Sequence, residues 1–166
     1  MKRISVIIVV VSVSMTSCLG PQNVRDSRWM FHDSDRDRIV NTAKRYIGVN
    51  YRHGGETPSG FDCSGYVMYV YGKNGITVSR STDGQYKMGK KIGLQRAKSA
   101  DLLFFHTGRK RISHVGIYLG DNTFIHAPST GKQVSYARID NPYWKRRFIG
   151  AVTYFSGRRG TRSSKE

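Results

Sequence analysis

The chain has 166 residues and a formal charge of +17 at pH 7, which is enough length for one ordinary domain and too little for two. Hydrophobic residues make up 38% of the chain and aromatic residues 11%, so a packed core is expected and wholesale disorder is excluded. The chain has two cysteines, Cys18 and Cys63, which excludes a small fold held by several disulfides and a four-cysteine zinc site.

The N-terminal segment has the organisation of an export signal. Two basic residues precede an apolar run over residues 4–13, and small polar residues then lead to Cys18. The run is shorter than the roughly 20 apolar residues that span a bilayer. This pattern resembles a bacterial lipoprotein signal, which predicts removal of residues 1–17 and lipidation of Cys18. We expect an exported protein of the cell envelope, anchored by lipid on the periplasmic side of the outer membrane. Alternatively, the segment is an ordinary cleaved secretory signal, and Cys18 has no role.

The rest of the chain divides into a tether, a domain and a tail. Residues 18–33 mix Gly, Pro, Asn, Ser and charges without a period, and they are predicted to tether the domain to the membrane. Residues 34–155 carry the periodic patterns of a folded domain. Residues 156–166 are rich in Gly, Arg, Ser and Lys, which is typical of a flexible basic tail.

Helices are predicted in the first half of the domain. Apolar residues at three- and four-residue spacing predict a helix over 34–47, with Ser34 as the N-cap in a capping box. Residues 62–71 have the composition of a strand, yet their apolar residues also fit one face of a helix that Asp62 would cap. A further short helix is predicted over about 81–89.

Strands are predicted in the second half, where apolar and polar residues alternate. Helices followed by a run of strands indicate an α+β fold with an antiparallel sheet. The predicted strands are 102–105, 115–119, 123–127, 133–136 and 148–154.

The hairpin between two of these strands makes a geometric prediction. A three-residue loop at 120–122 would pair Gly116 with His126. His114 then lies diagonally beside His126 on one face of the sheet, whereas a two-residue loop would place them on opposite faces. Asn122 tolerates the left-handed conformation that the longer loop requires.

The sequence around Cys63 suits a nucleophilic thiol. If Cys18 is lipidated, Cys63 is an unpaired thiol in a compartment that permits disulfides, and it is either reactive or a small buried hydrophobe. A helix that begins at Cys63 would stabilise its thiolate and leave its backbone N–H free for an oxyanion. Because a nucleophilic thiol needs a base, and the base an orienting partner, His114 is the candidate base and His126 the residue that orients it. A zinc site at these three residues is the alternative, although the short spacings of common zinc motifs are missing.

Several short segments carry the most distinctive residues of the domain. They are Tyr51-Arg52-His53-Gly54-Gly55, Phe61-Asp62-Cys63-Ser64-Gly65-Tyr66-Val67, Arg80-Ser81 with Gln85, Asp101-Leu102-Leu103-Phe104-Phe105, His114-Val115-Gly116-Ile117-Tyr118-Leu119-Gly120 and Phe124-Ile125-His126-Ala127. In this order, over about residues 34–155, the segments resemble the NlpC family of bacterial cell-wall cysteine peptidases. A single such domain behind a lipoprotein signal resembles the envelope-anchored members of the family.

The resemblance implies a papain-like α+β fold, with N-terminal helices packed on a central antiparallel sheet of about five to six strands. The nucleophile would lie at a helix N-terminus, which makes residues 62–71 a helix. The resemblance also implies Cys63 as nucleophile, His114 as general base and His126 as the third polar residue.

Further roles follow from the same resemblance. Tyr51 would line the cleft beside the nucleophile and help to stabilise the oxyanion, and Asp62 and Ser64 would contact substrate. The implied substrates are amide bonds in peptidoglycan stem peptides or in the cross-links between them. No metal or cofactor is implied, and we expect a monomer.

Two other functions fit the sequence: a related-fold amidase or acyltransferase, and a catalytically silent wall-binding lipoprotein. The order of Cys63 before His114, with the cysteine at a helix start, favours a peptidase. A silent relative would usually have lost one of the residues Cys63, His114 and His126, and all three are present.

The basic residues are clustered at Arg109-Lys110-Arg111, Lys145-Arg146-Arg147 and Arg158-Arg159. They could attract anionic lipids or wall polymers, or they could form a solvated face. A nucleic-acid partner is not expected, because export argues against it and no nucleic-acid motif is recognisable.

Overall fold

The structure is a computed structural model that describes residues 34–108 and 112–155. The predicted signal, tether and tail and the Arg109-Lys110-Arg111 cluster lie outside the described residues. None of the helices in the described ranges is long and apolar enough to cross a membrane. The elements are α1 (Asp35–Lys44), β1 (Glu56–Thr57), β2 (Gly60–Phe61), α2 (Cys63–Gly72), α3 (Thr82–Met88), β3 (Lys90–Ile92), β4 (Leu102–Phe105), β5 (His114–Gly120), β6 (Thr123–His126), β7 (Ser135–Arg138), α4 (Pro142–Lys145) and β8 (Phe148–Thr153), with a 3-10 turn at Leu94–Arg96.

Six strands form one antiparallel sheet in the order β3-β8-β4-β5-β6-β7. This sheet follows helices α1 to α3 in the chain, which confirms the predicted α+β fold and strand number. The sequence did not predict β3 or the small β1–β2 hairpin. Both are very short, and β1 and the two lysines of β3 are exposed, so no apolar alternation marks them.

The sheet separates two apolar layers. The first layer packs α1 and α2 on one face of the sheet, and Cys63 contacts it. Its largest members include Ile39, Tyr66, Tyr71, Leu102, Phe104, Ile117 and Ile125. The second layer lies on the opposite face and comprises Leu103, Phe105, Tyr118, Phe124, Ile139 and Ala151, with Trp144 and Phe148 packed against it. Full burial of each large apolar side chain contributes about 1.5–3 kcal/mol, so both layers stabilise the sheet.

Helix α1 begins and ends within the predicted range, but its start differs from the prediction. Ser34 has helical backbone angles, φ −63° and ψ −21°, and its side chain makes no capping hydrogen bond. An N-cap residue needs an extended backbone to aim its oxygen at the first amides of the helix, so the predicted capping box is wrong. The helix is anchored instead by Arg36, whose buried guanidinium lies 2.8 Å from an Asp101 carboxylate oxygen.

The hairpin of β5 and β6 has the predicted register. Ile117 lies opposite Ile125, so His114 and His126 point from the same face of the sheet, as predicted. Both side chains point into the second layer, where Phe105 pairs with His114 across β4 and β5.

The turn of this hairpin is different from the prediction. Asp121 and Asn122 alone form the turn, with φ angles of +47° and +58°, and Gly120 pairs with Thr123. Such left-handed angles at both central residues are those of the two-residue turns that favour hairpin twist. The register shifts at Leu119, where a bulge takes up the extra residue. Without this bulge, the two-residue turn would put the two histidines on opposite faces of the sheet.

Candidate active site

Cys63 is the first residue of α2. Asp62, in an extended conformation, caps the helix by accepting a 2.7 Å hydrogen bond from the Gly65 amide, which settles residues 62–71 as helix. A side chain at Gly65 would come within 2.1 Å of the Gly55 carbonyl oxygen, so only glycine lets this loop approach the helix. As the first helical residue, Cys63 has a backbone N–H with no carbonyl partner inside the helix.

The Cys63 thiol is partly buried, and its surroundings favour the neutral form. Burial raises its pKa, and so does the negative charge of Asp62; hydrogen bonds from Thr82 and from the Val115 and Ser64 amides oppose this effect without cancelling it. The Thr82 hydroxyl oxygen lies 4.0 Å from the sulfur. Desolvation and the neighbouring carboxylate thus outweigh these hydrogen bonds, and the thiol needs a base to become a thiolate.

Strand β5 links the candidate base to the surroundings of the thiol. His114 and Val115 are its first two residues. The Val115 amide lies close enough to the Cys63 sulfur to lower the pKa of the thiol. Because His114 directly precedes Val115, the nucleophile of the first layer and the candidate base of the second layer lie at the same end of the sheet.

The two imidazoles form a buried pair. His114 Nε2 lies 2.7 Å from His126 Nδ1, and each residue is 3% exposed. Burial lowers the pKa of His114 to about 4. Burial also lowers the pKa of His126, which the charges of His114 and Lys132 lower further. Both rings are thus neutral at pH 7. The hydrogen bond occupies Nε2 of His114, which leaves Nδ1 as the ring nitrogen that can serve Cys63.

Tyr51 lies beside the nucleophile, as the resemblance implies. Its backbone is held by a bridge to Phe61 and by a 2.8 Å hydrogen bond from its amide to the Lys132 carbonyl. Burial raises the pKa of the Tyr51 phenol, and a negative charge on Cys63, when it is ionised, or on Asp62 raises it further. The phenol therefore stays protonated and can donate a hydrogen bond close to the sulfur.

Asp62 and Ser64 have a partner that the sequence reasoning missed. Arg80 donates to Asp62 Oδ1 at 3.0 Å and Oδ2 at 2.6 Å, and to the Ser64 hydroxyl at 3.0 Å. It also reaches Glu56, at 3.0 Å. Burial alone would raise the pKa of Asp62, but the hydrogen bonds from Arg80 and from the Gly65 amide lower it below its usual value. Arg80 lies in one of the segments that resemble the NlpC family. The planar donor group of arginine, which suits a two-point contact with a carboxylate, was the feature that could have identified it.

Helix α3 is fixed against the start of α2. Ser81 caps it by accepting a hydrogen bond from the Gly84 amide at 3.1 Å. The buried Gln85 side chain donates to the carbonyls of Ser64 and Ser79, at 2.9 Å and 2.8 Å. These contacts place the hydroxyl of Thr82, the first residue of α3, at the thiol.

An open cleft of about 490 Å³ lies where α2 and α3 begin. It is lined by Ser64, by residues 80–83, and by Ile112 and Ser113. Ser64 directly follows the nucleophile and the Thr82 hydroxyl lies 4.0 Å from its sulfur, so the cleft lies beside Cys63. In the described ranges, no three His, Cys, Asp or Glu side chains are grouped as metal ligands would be.

Trp144 covers the imidazole pair, and the sequence reasoning did not find it. Its ring stacks on His114, with centroids 5.3 Å apart and planes 25° apart, and meets His126 edge-on at 4.9 Å. The four-residue helix that carries it is too short to show a period, and the adjacent basic residues dominate the local composition.

A thiol at a helix N-terminus that meets a histidine pair on an antiparallel sheet is the arrangement of papain-like α+β domains. The chain belongs to the NlpC/P60 family, whose sequence pattern matches residues 48–153. This finding confirms the resemblance seen in the sequence.

Known proteins support the assignment. The chain is 43% identical over 117 residues to the probable peptidoglycan endopeptidase LytE of Bacillus subtilis, an alignment that covers 70% of this chain and 34% of LytE. It is 40% identical over 114 residues to the murein DD-endopeptidase MepS/murein LD-carboxypeptidase of Escherichia coli, covering 68% of this chain and 60% of the relative. The crystal structure of a protein similar to a lipoprotein, of the NLP/P60 family, from Staphylococcus aureus matches with a TM-score of 0.69 and 34% identity, over 80% of this chain and 45% of that one. The chain thus matches only part of each of these proteins, from about a third to three fifths of their length.

Proposed function

We propose that the protein is a peptidoglycan endopeptidase that hydrolyses amide bonds in stem peptides or in their cross-links. The observation that carries the proposal is the buried, hydrogen-bonded pair of His114 and His126, in which His114 directly precedes Val115, the strand residue whose amide acts on the Cys63 thiol. The named activities of LytE and MepS support the substrate class.

In the proposed mechanism, the reaction begins from a neutral pair. His114 takes the thiol proton on Nδ1, while its Nε2–H donates to Nδ1 of His126 and so stabilises the imidazolium that forms. The Cys63 thiolate attacks the amide carbonyl carbon and forms a C–S bond. The oxyanion accepts hydrogen bonds from the Cys63 backbone N–H and from the Tyr51 phenol.

The intermediate then collapses to products. The C–N bond breaks, and His114 gives its proton to the leaving amine, which departs and leaves a thioester on Cys63. Neutral His114 next takes a proton from water, and the resulting hydroxide attacks the thioester carbonyl. The C–S bond breaks, the acid product leaves, and Cys63 regains its proton. Arg80 keeps Asp62 ionised throughout, so the cap of α2 remains in place beneath the nucleophile.

The test uses purified peptidoglycan, incubated with wild-type protein or with Cys63→Ala, and reads the products by mass spectrometry. Fragments released by the wild type alone would support the proposal, and their masses would identify the bond. The absence of fragments from a wild-type protein with a free, reduced thiol would contradict it and favour a wall-binding or acyl-transfer role.

We also propose that the protein is a lipoprotein of the envelope, cleaved after residue 17 and lipidated at Cys18, with residues 18–33 as a tether. The basic start, the apolar run and the small residues before Cys18 support this proposal, and so does the likeness to a protein described as similar to a lipoprotein. The intact mass of protein recovered from cell membranes would show a lipid adduct on the mature chain, whereas Cys18→Ala should lack it. A wild-type protein without the adduct would contradict the anchor.

A further inference from the structure

Trp144 forms the outer wall of the imidazole pair. Its ring stacks on His114 and stands perpendicular to His126, while the two imidazoles are themselves perpendicular, with centroids 4.9 Å apart. The same indole contacts Phe105 at 4.9 Å and Phe124 at 5.3 Å. The indole therefore restricts rotation of the His114 ring about the Cα–Cβ and Cβ–Cγ bonds.

The short helix α4 holds Trp144 in this position. Asn141 caps the helix by accepting a hydrogen bond from the Tyr143 amide at 2.9 Å, and Pro142 occupies the first turn. Arg147 lies over the Tyr143 ring at 3.8 Å and donates to the Tyr143 carbonyl at 3.0 Å. The Arg147 carbonyl accepts from the His106 amide, which ties α4 to the segment that follows β4.

We propose that Trp144 is a positioning residue for the reaction: it fixes the plane of the His114 ring for proton exchange with Cys63, and it excludes water from the imidazole pair. This inference rests on the proposed function, because it takes His114 as the base. Among the described residues, the other rings in contact with His114 are those of Phe105 and His126.

The surroundings of the pair show what the indole contributes. The charge of Lys132, in the segment after β6, acts on His126, and the Cys63 thiol of α2 interacts with the Val115 amide next to His114. From β4, β6 and α4 come the rings of Phe105, Phe124 and Trp144. Burial is the cause of the low pKa of His114, and Trp144 is the partly exposed member of this apolar enclosure. Loss of the indole would admit water to the His114 ring and stabilise its charged form.

The experiment compares full-length wild type with Trp144→Leu, Trp144→Phe and Phe148→Leu. Phe148 packs in the same layer and meets Phe105 at 5.9 Å, so Phe148→Leu controls for a loss of packing away from the imidazoles. Titration of the His114 imidazole by NMR needs no substrate. In Trp144→Leu, its midpoint should rise by about one pH unit or more as water reaches the ring. In Trp144→Phe and Phe148→Leu, it should stay close to the wild-type value.

Hydrolysis is the second readout. The kcat/KM for a soluble stem-peptide substrate should fall about tenfold or more in Trp144→Leu, because the base is no longer held in line. Trp144→Phe should recover most of it. If Trp144→Leu does not fold, Asn141→Ala removes the cap of α4 without emptying the layer, and it should raise the midpoint in the same direction.

An unchanged His114 midpoint in the folded variants would overturn the positioning role. A shifted midpoint in a protein whose wild type releases no peptidoglycan fragments would instead refute the proposed activity and leave the effect of Trp144 on the imidazoles standing. The two failures are therefore distinguishable.

Discussion

His114 and His126 share a 2.7 Å hydrogen bond between Nε2 and Nδ1, although the turn that joins their strands has only two residues. The bulge at Leu119 restores the register in which both rings point to one face. The orienting partner of the candidate base is thus set by backbone geometry some distance from the cleft.

The role of His126 can be tested by changing the group that accepts the hydrogen bond from His114. His126→Asn should keep measurable hydrolysis, because its amide oxygen can still accept the Nε2–H of His114. His126→Leu should lose activity by about 10- to 100-fold, because the ring of His114 loses its partner. Initial rates on peptidoglycan, with thermal unfolding as the control for folding, measure both. Equal loss in the two variants would show that His126 does more than orient His114.

Substitutions of the nucleophile and of the base should cause the most severe losses of activity. Cys63→Ala should abolish turnover while the domain stays folded, because no thioester can form. His114→Ala should be nearly as severe, since the thiol then has no base. Product release by mass spectrometry and a cooperative thermal transition measure the two properties separately. Wild-type turnover by Cys63→Ala would refute the mechanism.

The pH dependence should show an acid limb well below that of an ordinary histidine. Only neutral His114 can accept the thiol proton, and burial lowers its pKa to about 4 from 6.5, so kcat/KM should fall as the pH passes through about 4. A limb near 6.5 would contradict the buried base.

The stability of the folded protein should also depend on the protonation of His114. The folded pKa of His114 lies below the unfolded value, so its contribution to stability is complete above 6.5 and is lost as the pH falls toward about 4. The free energy of unfolding should therefore decline over this window, also in inactive Cys63→Ala. His114→Gln, which cannot titrate, should show a smaller decline.

The Arg80 guanidinium should matter through its two-pronged contact with Asp62. Arg80→Lys keeps the charge but cannot reproduce the parallel hydrogen bonds, and we expect an activity loss of about tenfold from a loosened start of α2. The side chain of Arg80 is 37% exposed, so the loss in unfolding free energy should be about 1 kcal/mol or less. Arg138→Lys alters an exposed pair with Asp140 and should change neither property. Full activity in Arg80→Lys would contradict the contribution of the paired contact.

The alternation of apolar and polar residues was enough to predict much of the sheet. Strand β4 lies where the sequence predicts it, and the alternation of β5 and β6 predicts the faces of their histidines. Helix α2 was ambiguous for a physical reason. Ser64, Gly65, Tyr66, Val67, Val70 and Tyr71 are all buried, so α2 has little contrast between an inner and an outer face. The Asp62 cap was the local signal that favoured a helix.

The parts of the site that escaped prediction depend on contacts distant in sequence. Arg80 meets Asp62 across 18 positions, and Trp144 reaches His114 across the second layer. The pKa of Cys63 is another such property. The helix N-terminus is visible in the sequence, whereas the burial that raises the pKa of the thiol is a result of the whole fold.

The division of the site between two layers has a consequence for activity. Cys63 belongs to the layer packed by α1 and α2, whereas His114, His126 and Trp144 belong to the layer on the other face of the sheet. A chain in which only one of the layers is packed on the sheet would hold either a nucleophile without a base or a base without a nucleophile. Hydrolytic competence therefore requires both layers to be assembled at once.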